Sequence, residues 1–294
     1  MKKKIRFIIN PKSGVKKKDS IPGLIHNLID KNQFEVEIVV TEAPKQGTLL
    51  SREAAQKNYF LVVSVGGDGS ANEVATGLDN SNTALGIIPA GSGNGMARHL
   101  KIPMNTEKAL LVINSGKIEK IDTIRVNEEY CLGTIGVGFD AYVAHLFADS
   151  KKRGFSTYAK LVLKEFYKYK PVNYEIIVDD HSSSHSCFLL TCANSSQWGN
   201  DAVIAPFADV MDGLIDVSIL KKLPLAFVPY LIYRLMHKTI HHSKYFSMMK
   251  GKNIVLKNNG ILKAHIDGEP ITFNNDLHIR IIPRSLSVLV PSNS

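Results

Sequence analysis

The stretch VVSVGGDGSANEV (62–74) decides how the chain is read. Leu61, Val62, Val63 and Val65 make an apolar run of strand length, Gly66, Gly67, Asp68 and Gly69 make a turn, and a helix is expected from Ser70. Glycine reaches positive φ cheaply and carries no Cβ, so an anion can come close to such a backbone. The helix behind the turn presents free N–H groups and the positive end of its dipole. Ser70, with Glu73 three residues on, has the spacing of a capping box. A lone Gly-Asp-Gly turn serves equally well as a plain connector. Asp68 is the unusual residue, because a carboxylate beside a bound phosphate repels it unless a metal ion or a proton donor lies between.

Working outward, IRFIIN (5–10), FEVEIVV (34–40), YFLVVSV (59–65) and ALGIIPA (84–90) read as strands. Segments with helical spacing separate and follow them. Alternation of this kind gives a parallel sheet with helices on both faces. Ligands in such sheets bind beyond the C-terminal ends of the strands. Three of those ends carry unusual residues: NPKSG (10–14), the Gly66 turn and PAGSGN (89–94), with Thr41 and Glu42 at a fourth. That convergence lifts the turn above a connector. After residue 121 the pattern changes to many short strands with turn signals, interrupted by helical segments near 141–170 and 225–237. This predicts a β-sandwich-like second domain. The expected division is 1–121 and 122–285, with 286–294 returning to the first domain as a last strand.

The chain has 294 residues, 44% of them hydrophobic, and 36 Lys and Arg against 27 Asp and Glu, a net charge of +9. The excess favours anionic partners such as a nucleotide or a phospholipid surface. Cys131, Cys187 and Cys192 are odd in number and form no C-x-x-C, which points to a reducing compartment and away from a zinc site. The apolar run behind Lys2, Lys3 and Lys4 is too short for a secretory signal. The longest apolar stretch, PLAFVPYLIY (224–233), is too short to span a bilayer and holds two prolines. A cytoplasmic protein with at most peripheral membrane contact is expected. Walker A, H-R-D, D-F-G and G-x-G-x-x-G patterns are all absent from the sequence. His237, His241 and His242 have helical spacing but no carboxylate partner nearby, and Trp198 reads as structural.

Two acidic pairs remain. Asp209 and Asp212 precede a strand, where a polar turn is the simple alternative. Asp267 and Glu269 lie in HIDGEP (265–270). Asp-Gly is a common hairpin turn, and the residues alone do not say which of the two carboxylates would do chemistry.

The order NPKSG, VGGDGSANEV, PAGSGNGMAR, MDGLIDV and HIDGEP resembles the diacylglycerol kinase/sphingosine kinase catalytic family, of the soluble bacterial lipid kinase type, over essentially the whole chain. The resemblance implies an NAD kinase/phosphofructokinase-like α/β domain with a parallel sheet, and a β-sandwich-like C-terminal domain for the lipid. It implies ATP as co-substrate with Mg²⁺. Asn10, Pro11, Lys12, Ser13, Gly14 and Thr41 would line the nucleotide. Gly66, Gly67, Asp68, Gly69, Ser70 and Asn72 would cradle the phosphates, with Asp68 reaching the catalytic Mg²⁺ through water and Ser92 touching the nucleotide. A second, structural Mg²⁺ would be held by Asp209, Asp212 and the Leu214 carbonyl. Glu269 is favoured over Asp267 as the base.

Diacylglycerol or a related lipid such as a sphingoid base is the implied substrate. PAGSGNG (89–95) stands where bacterial diacylglycerol kinases usually carry Gly-Thr-x-Asn-Asp, and looks more like the sphingosine and ceramide kinase version. The competing readings are an NAD kinase-like small-molecule kinase and a non-catalytic lipid-binding protein on this fold. The intact Asp68, Asp267 and Glu269 speak against the latter. Nucleic acid is not expected as a partner, and an exposed sheet edge would suit a homodimer. Lys16, Lys17 and Lys18 follow the first loop and would draw in ATP or be solvated. Lys151, Lys152, Arg153, Lys160, Lys164, Lys168 and Lys170 interleave with Phe155, Tyr158, Leu161, Phe166 and Tyr167. That basic amphipathic stretch reads as a membrane-surface element, or as a helix packed on its own domain.

Overall fold

A computed structural model describes residues 2–14, 20–150, 155–258 and 260–292. Lys16, Lys17, Lys18, Lys151, Lys152 and Arg153 lie outside the described residues, as do the side chains of 155–159. The chain divides into two compact units, 1–122 with 284–294, and 123–283. The first 116 residues run β1 (Lys3–Ile9), α1 (Ile21–Leu28), β2 (Phe34–Val40), α2 (Gln46–Gln56), β3 (Leu61–Gly66), α3 (Asp68–Gly77), β4 (Ala84–Pro89), α4 (Gly95–His99) and α5 (Thr106–Ser115). There follow β5 (Lys117–Val126), β6 (Glu129–Cys131), β7 (Thr134–Gly138), α6 (Phe139–Ala148), α7 (Phe155–Phe166), β8 (Val172–Val178), β9 (His181–Cys187), β10 (Leu189–Ala193) and β11 (Ile215–Leu220). The chain ends in α8 (Val228–Met236), β12 (Phe246–Gly251), β13 (Asn253–Leu256), β14 (Leu262–Ile266), β15 (Glu269–Phe273) and β16 (Leu277–Val290). No helix among the described residues is long and apolar enough to cross a membrane.

In the first unit the strands lie in the order β2-β1-β3-β4, all parallel. The end of β16 joins β4 in parallel, with Val288 opposite Leu85. Every residue of β3 and β4 is buried. A parallel sheet covered on both faces explains why these strands read as unbroken apolar runs. The chain leaves β1 towards β2 and leaves β3 towards β4, so the connections diverge between β1 and β3. That divergence is the topological switch point at which open α/β sheets bind ligands.

One expectation fails here. α3 begins at Asp68, with Gly67 as N-cap and no side-chain cap. Glu73 reaches sideways instead, and its two carboxylate oxygens accept the N–H groups of Lys45 (3.0 Å) and Gly47 (3.1 Å) at the start of α2. Ser70 Oγ accepts from Asn10 Nδ2 at 3.0 Å. Both partners of the expected capping box are thus taken by other elements.

The second unit holds an antiparallel sheet in the order β12-β11-β10-β7-β14-β15. A second layer pairs β9, β8, β13 and the first part of β16, again antiparallel. Ile135, Val137, Leu190, Val217, Ile254 and Ile279, drawn from both layers, are among the buried side chains of one apolar core. Phe139, Phe166 and Phe188 form a second core, with ring centroids 4.5–5.8 Å apart. α7 turns its apolar side into that core through Phe166, Leu161 and Val162, and leaves Lys160 and Lys164 exposed. Over its described side chains the helix thus packs on its own unit, while Leu163 stays exposed.

Arg6, in the middle of β1, is 3% exposed. Its Nε donates to Glu37 Oε2 on β2 at 2.6 Å, and its Nη1 to Leu50 O at 2.9 Å and Glu53 Oε2 at 3.2 Å on α2. Tyr59 Oη donates to the same Glu37 oxygen at 2.8 Å. A buried guanidinium is tolerated only with such partners. The bond from Arg6 holds the Glu37 carboxyl below its ordinary value, against the opposing effect of burial. A lowered carboxylate contributes stability that is full above its unfolded value and lost as pH falls through the folded one. Glu37→Gln should cost about 1–2 kcal/mol at neutral pH, less than for a fully buried pair because Glu37 is partly exposed and Glu53 remains. Urea denaturation of both proteins across pH should show the deficit closing below pH ~4.

Candidate active site

The first group of expected residues gathers at the switch point of the parallel sheet. Asn10 N–H donates to Val65 O at 3.1 Å, tying the ends of β1 and β3. The loop after β1 winds on Asn10, whose Oδ1 accepts from Lys12 N at 3.0 Å and whose carbonyl accepts from Ser13 Oγ at 3.2 Å. Gly14 has φ +71°, and a Cβ there would stand 2.0 Å from Ala90 O. A Cβ on Gly91 would stand 2.4 Å from Gly67 Cα, and one on Gly66 2.4 Å from Ser70 Oγ. The loops after β1, β3 and β4 are therefore packed main chain on main chain, and only glycine fits at the contacts.

The first bond of α3 is Ala71 N–H to Gly67 O at 3.0 Å, so the amides of Gly69 and Ser70 precede the helical ladder. Asp68, half-buried at the start of α3, accepts the Met96 N–H of α4 at 3.3 Å through Oδ1. Asn72 is half-buried one turn on, Ser92 is exposed at its loop tip, and Pro11 and Lys12 are exposed. Thr41 is buried beside the end of β1, its N–H on Ile9 O at 2.9 Å. Asn94 escaped the sequence reading. It adopts φ +56°, accepts Gly91 N–H and donates to Gly91 O, both at 3.0 Å, and so locks the third loop. Its signal was an asparagine in a glycine-rich loop, the residue that best tolerates left-handed backbone after glycine.

In the second unit, Ile266 pairs with Glu269 across a two-residue hairpin whose Asp267 and Gly268 have φ +49° and +85°. Two left-handed residues are the mark of a type I′ turn. The Asp267 carboxylate leaves the hairpin and accepts three backbone N–H groups at 2.8 Å, from Leu132 on Oδ2 and from Gly133 and Thr134 on Oδ1. Its own N–H donates to Thr134 O at 2.8 Å. Glu269 stands two residues on, exposed at the head of β15.

Behind the turn His265 is buried, Nε2 3.2 Å from Asp140 Oδ2, and Gly268 N–H donates to its Nδ1 at 3.4 Å. That donation places the ring proton on Nε2, facing Asp140. Thr191 Oγ1 donates to the same Asp140 oxygen at 3.3 Å. A Cβ on Gly136 would stand 2.3 Å from both Asp140 Oδ2 and His265 Nε2, so the pair needs a glycine beneath it. Sequence reasoning missed this cluster, since Asp140 and His265 are 125 residues apart.

The other acidic pair forms a turn before β11. Asp209 Oδ1 accepts Met211 N–H at 2.9 Å and Asp212 Oδ1 accepts Leu214 N–H at 3.0 Å. Lys250 Nζ lies 2.9 Å from Asp212 Oδ2, 3.1 Å from Asp216 Oδ2 and 2.9 Å from Phe207 O. Asp216 is buried and its Oδ1 has no partner. Burial pushes its carboxyl up, opposed by Lys250. Among the described residues no three His, Cys, Asp or Glu side chains gather into a metal cage. The oxygen-only set and the unmet Asp216 oxygen fit a hard cation that also draws on a carbonyl and on water.

Residues 4–126 match the family model described as the diacylglycerol kinase catalytic domain, and 133–290 match the YegS C-terminal NAD kinase beta sandwich-like domain. A protein named diacylglycerol kinase from Staphylococcus aureus is 26% identical over 305 residues, covering 100% of this chain and 94% of its own. Another of that name from Staphylococcus saprophyticus is 25% identical over 280 residues, covering 92% and 90%. The crystal structure of a diacylglycerol kinase from Bacillus anthracis superposes with a TM-score of 0.75 at 18% identity, over 99% of this chain and 97% of that one. With both domain models matched in order along one polypeptide, the chain belongs to the diacylglycerol kinase catalytic family and is a lipid kinase.

Proposed function

We propose that this kinase transfers the γ-phosphate of ATP, with Mg²⁺, to the free hydroxyl of diacylglycerol or a related lipid at a membrane surface it touches peripherally. The observation that carries the reading is the glycine-floored cradle at the ends of β1, β3 and β4, with Asp68 at its rim. Relatives named diacylglycerol kinase support the choice of lipid.

The residues divide the work as follows. Asn10, Ser13, Gly14, Gly66, Gly67 and Gly69 bring main chain against the nucleotide phosphates, Ser70 and Asn72 line the first turn of α3, and exposed Lys12 adds a positive charge. Thr41 and Ser92 flank the nucleotide. Mg²⁺, when bound, neutralises charge on the transferring phosphate. Asp68 would hold one ion through water, and Asp209, Asp212 and the Leu214 carbonyl a second, where Lys250 competes for the same oxygens. Glu269 accepts the hydroxyl proton. Asp267 is already engaged by three N–H groups, and its part is to hold the turn that presents Glu269. His265, set by Asp140, braces that turn from behind.

Glu269→Gln should slow turnover by about 10²–10⁴-fold and leave ATP binding intact, read by labelled-phosphate transfer beside nucleotide titration. Undiminished turnover would remove Glu269 from the chemistry. Asp68→Ala should abolish Mg²⁺-dependent transfer, and full activity in that protein would refute its role. In Gly91→Ala the new Cβ meets main chain, so ATP affinity should fall by at least about tenfold. Gly23→Ala, with open space around its Cβ, should leave it unchanged. A panel of diacylglycerol, monoacylglycerol, sphingoid base, ceramide and phosphatidylglycerol, each with labelled ATP, identifies the acceptor.

A further inference from the structure

α8 is apolar over most of its surface, with Tyr230, Tyr233 and Arg234 sharing one side. Its inner side, Val228 and Leu231, is buried in the second core of its unit. Its outer side is also apolar. The 3₁₀ turn Leu225–Phe227 and α8 together expose Leu225, Phe227, Tyr230, Ile232, Tyr233 and Met236, with Ile232 52% and Tyr233 57% accessible. A contiguous exposed apolar patch of this kind marks an interaction surface.

The charge around it selects the occupant. Residues 217–266 contain nine Lys and Arg and no Asp or Glu. The whole chain has 36 basic and 27 acidic residues, so this one segment equals its entire excess. Lys221, Lys222, Arg234, Lys238 and Lys244 flank the exposed apolar side chains in sequence. Lys222 Nζ also donates to Tyr167 O at 3.1 Å, which brings the end of α7, with Tyr167 78% exposed, to the same face. Past α8 the Phe207 ring lies 4.8 Å from that of His241, and of the acids that follow, Asp212 in the turn and Asp216 in β11 are paired with Lys250, while Asp209 accepts the Met211 N–H.

Apolar and tyrosine side chains ringed by cations match the boundary of an anionic bilayer, where rings settle at headgroup level and amines meet phosphates. A second copy of this chain suits the patch poorly, because a twofold contact would set the same cations against themselves. We infer that the Leu225–Phe227 turn and α8 form the face by which the kinase lies on anionic phospholipid. The inference rests on the lipid-kinase reading for its purpose, and its binding test is independent of turnover.

The test is sedimentation with vesicles of phosphatidylcholine alone, and with vesicles in which part of it is replaced by phosphatidylglycerol. Wild type should bind the anionic vesicles. Ile232→Ser with Tyr233→Ser should bind them about tenfold more weakly or worse, as should Lys238→Glu with Lys244→Glu. Both variants should keep wild-type turnover of a short-chain diacylglycerol dissolved as monomer. Unchanged vesicle binding in both, or equal wild-type binding to neutral and anionic vesicles, overturns the surface. So does a wild-type dimer in light scattering that Ile232→Ser with Tyr233→Ser dissociates. Absence of turnover on the soluble lipid in wild type refutes the lipid acceptor instead, and the vesicle result still judges the face.

Discussion

Where Gly67 and Gly91 meet, the two main chains are so close that a Cβ on Gly91 would stand 2.4 Å from its neighbour's Cα. The loops after β3 and β4 can approach in this way only because neither residue has a side chain. Much follows from that approach. It sets the start of α4 against Asp68, it brings Ala90 N–H to Gly66 O at 2.7 Å, and it leaves Gly14 the narrow space in front of Ala90. Polar side chains then secure what the glycines allow, Asn10 on Ser70 and Asn94 on its own loop. The glycine-floored cluster of loops is thus a property of main-chain packing, with side chains as its fastenings.

Asp267 and Glu269 show how two like residues two positions apart come to different tasks. The Asp-Gly pair supplies the left-handed turn, and the Asp267 carboxylate crosses to the amides of 132–134. Glu269 has no such neighbours and faces solvent. The hairpin meaning of HIDGEP is realised by Asp267 and Gly268, and Glu269 is left exposed beside the turn.

The α/β unit was legible because buried parallel strands write themselves as apolar runs and because glycine clusters mark their ends. The β-sandwich-like unit was legible from its short strands and turns. What escaped was long-range. Arg6 stands inside an apolar run where pattern gives it no role, and its partners lie 31 and 47 residues away. The Ser70 and Glu73 spacing obeyed a local rule that tertiary partners overrode. The basic amphipathic pattern of α7 is also the pattern of a helix seated on a core, so the pattern alone does not say which surface it meets.

β16 carries a consequence for how the molecule is made. Its first part is built into the second unit and its last part completes the sheet of the first, beside β4. On the ribosome β4 emerges about 200 residues before Val288, the residue that pairs with it. At about 5–20 residues per second the wait is on the order of ten seconds or more. Throughout it, the apolar edge strand β4 has no strand on its outer side, the state in which sheets recruit wrong partners. The first unit therefore becomes whole only after the second has been synthesised, and until then that edge of its sheet stays open to wrong partners.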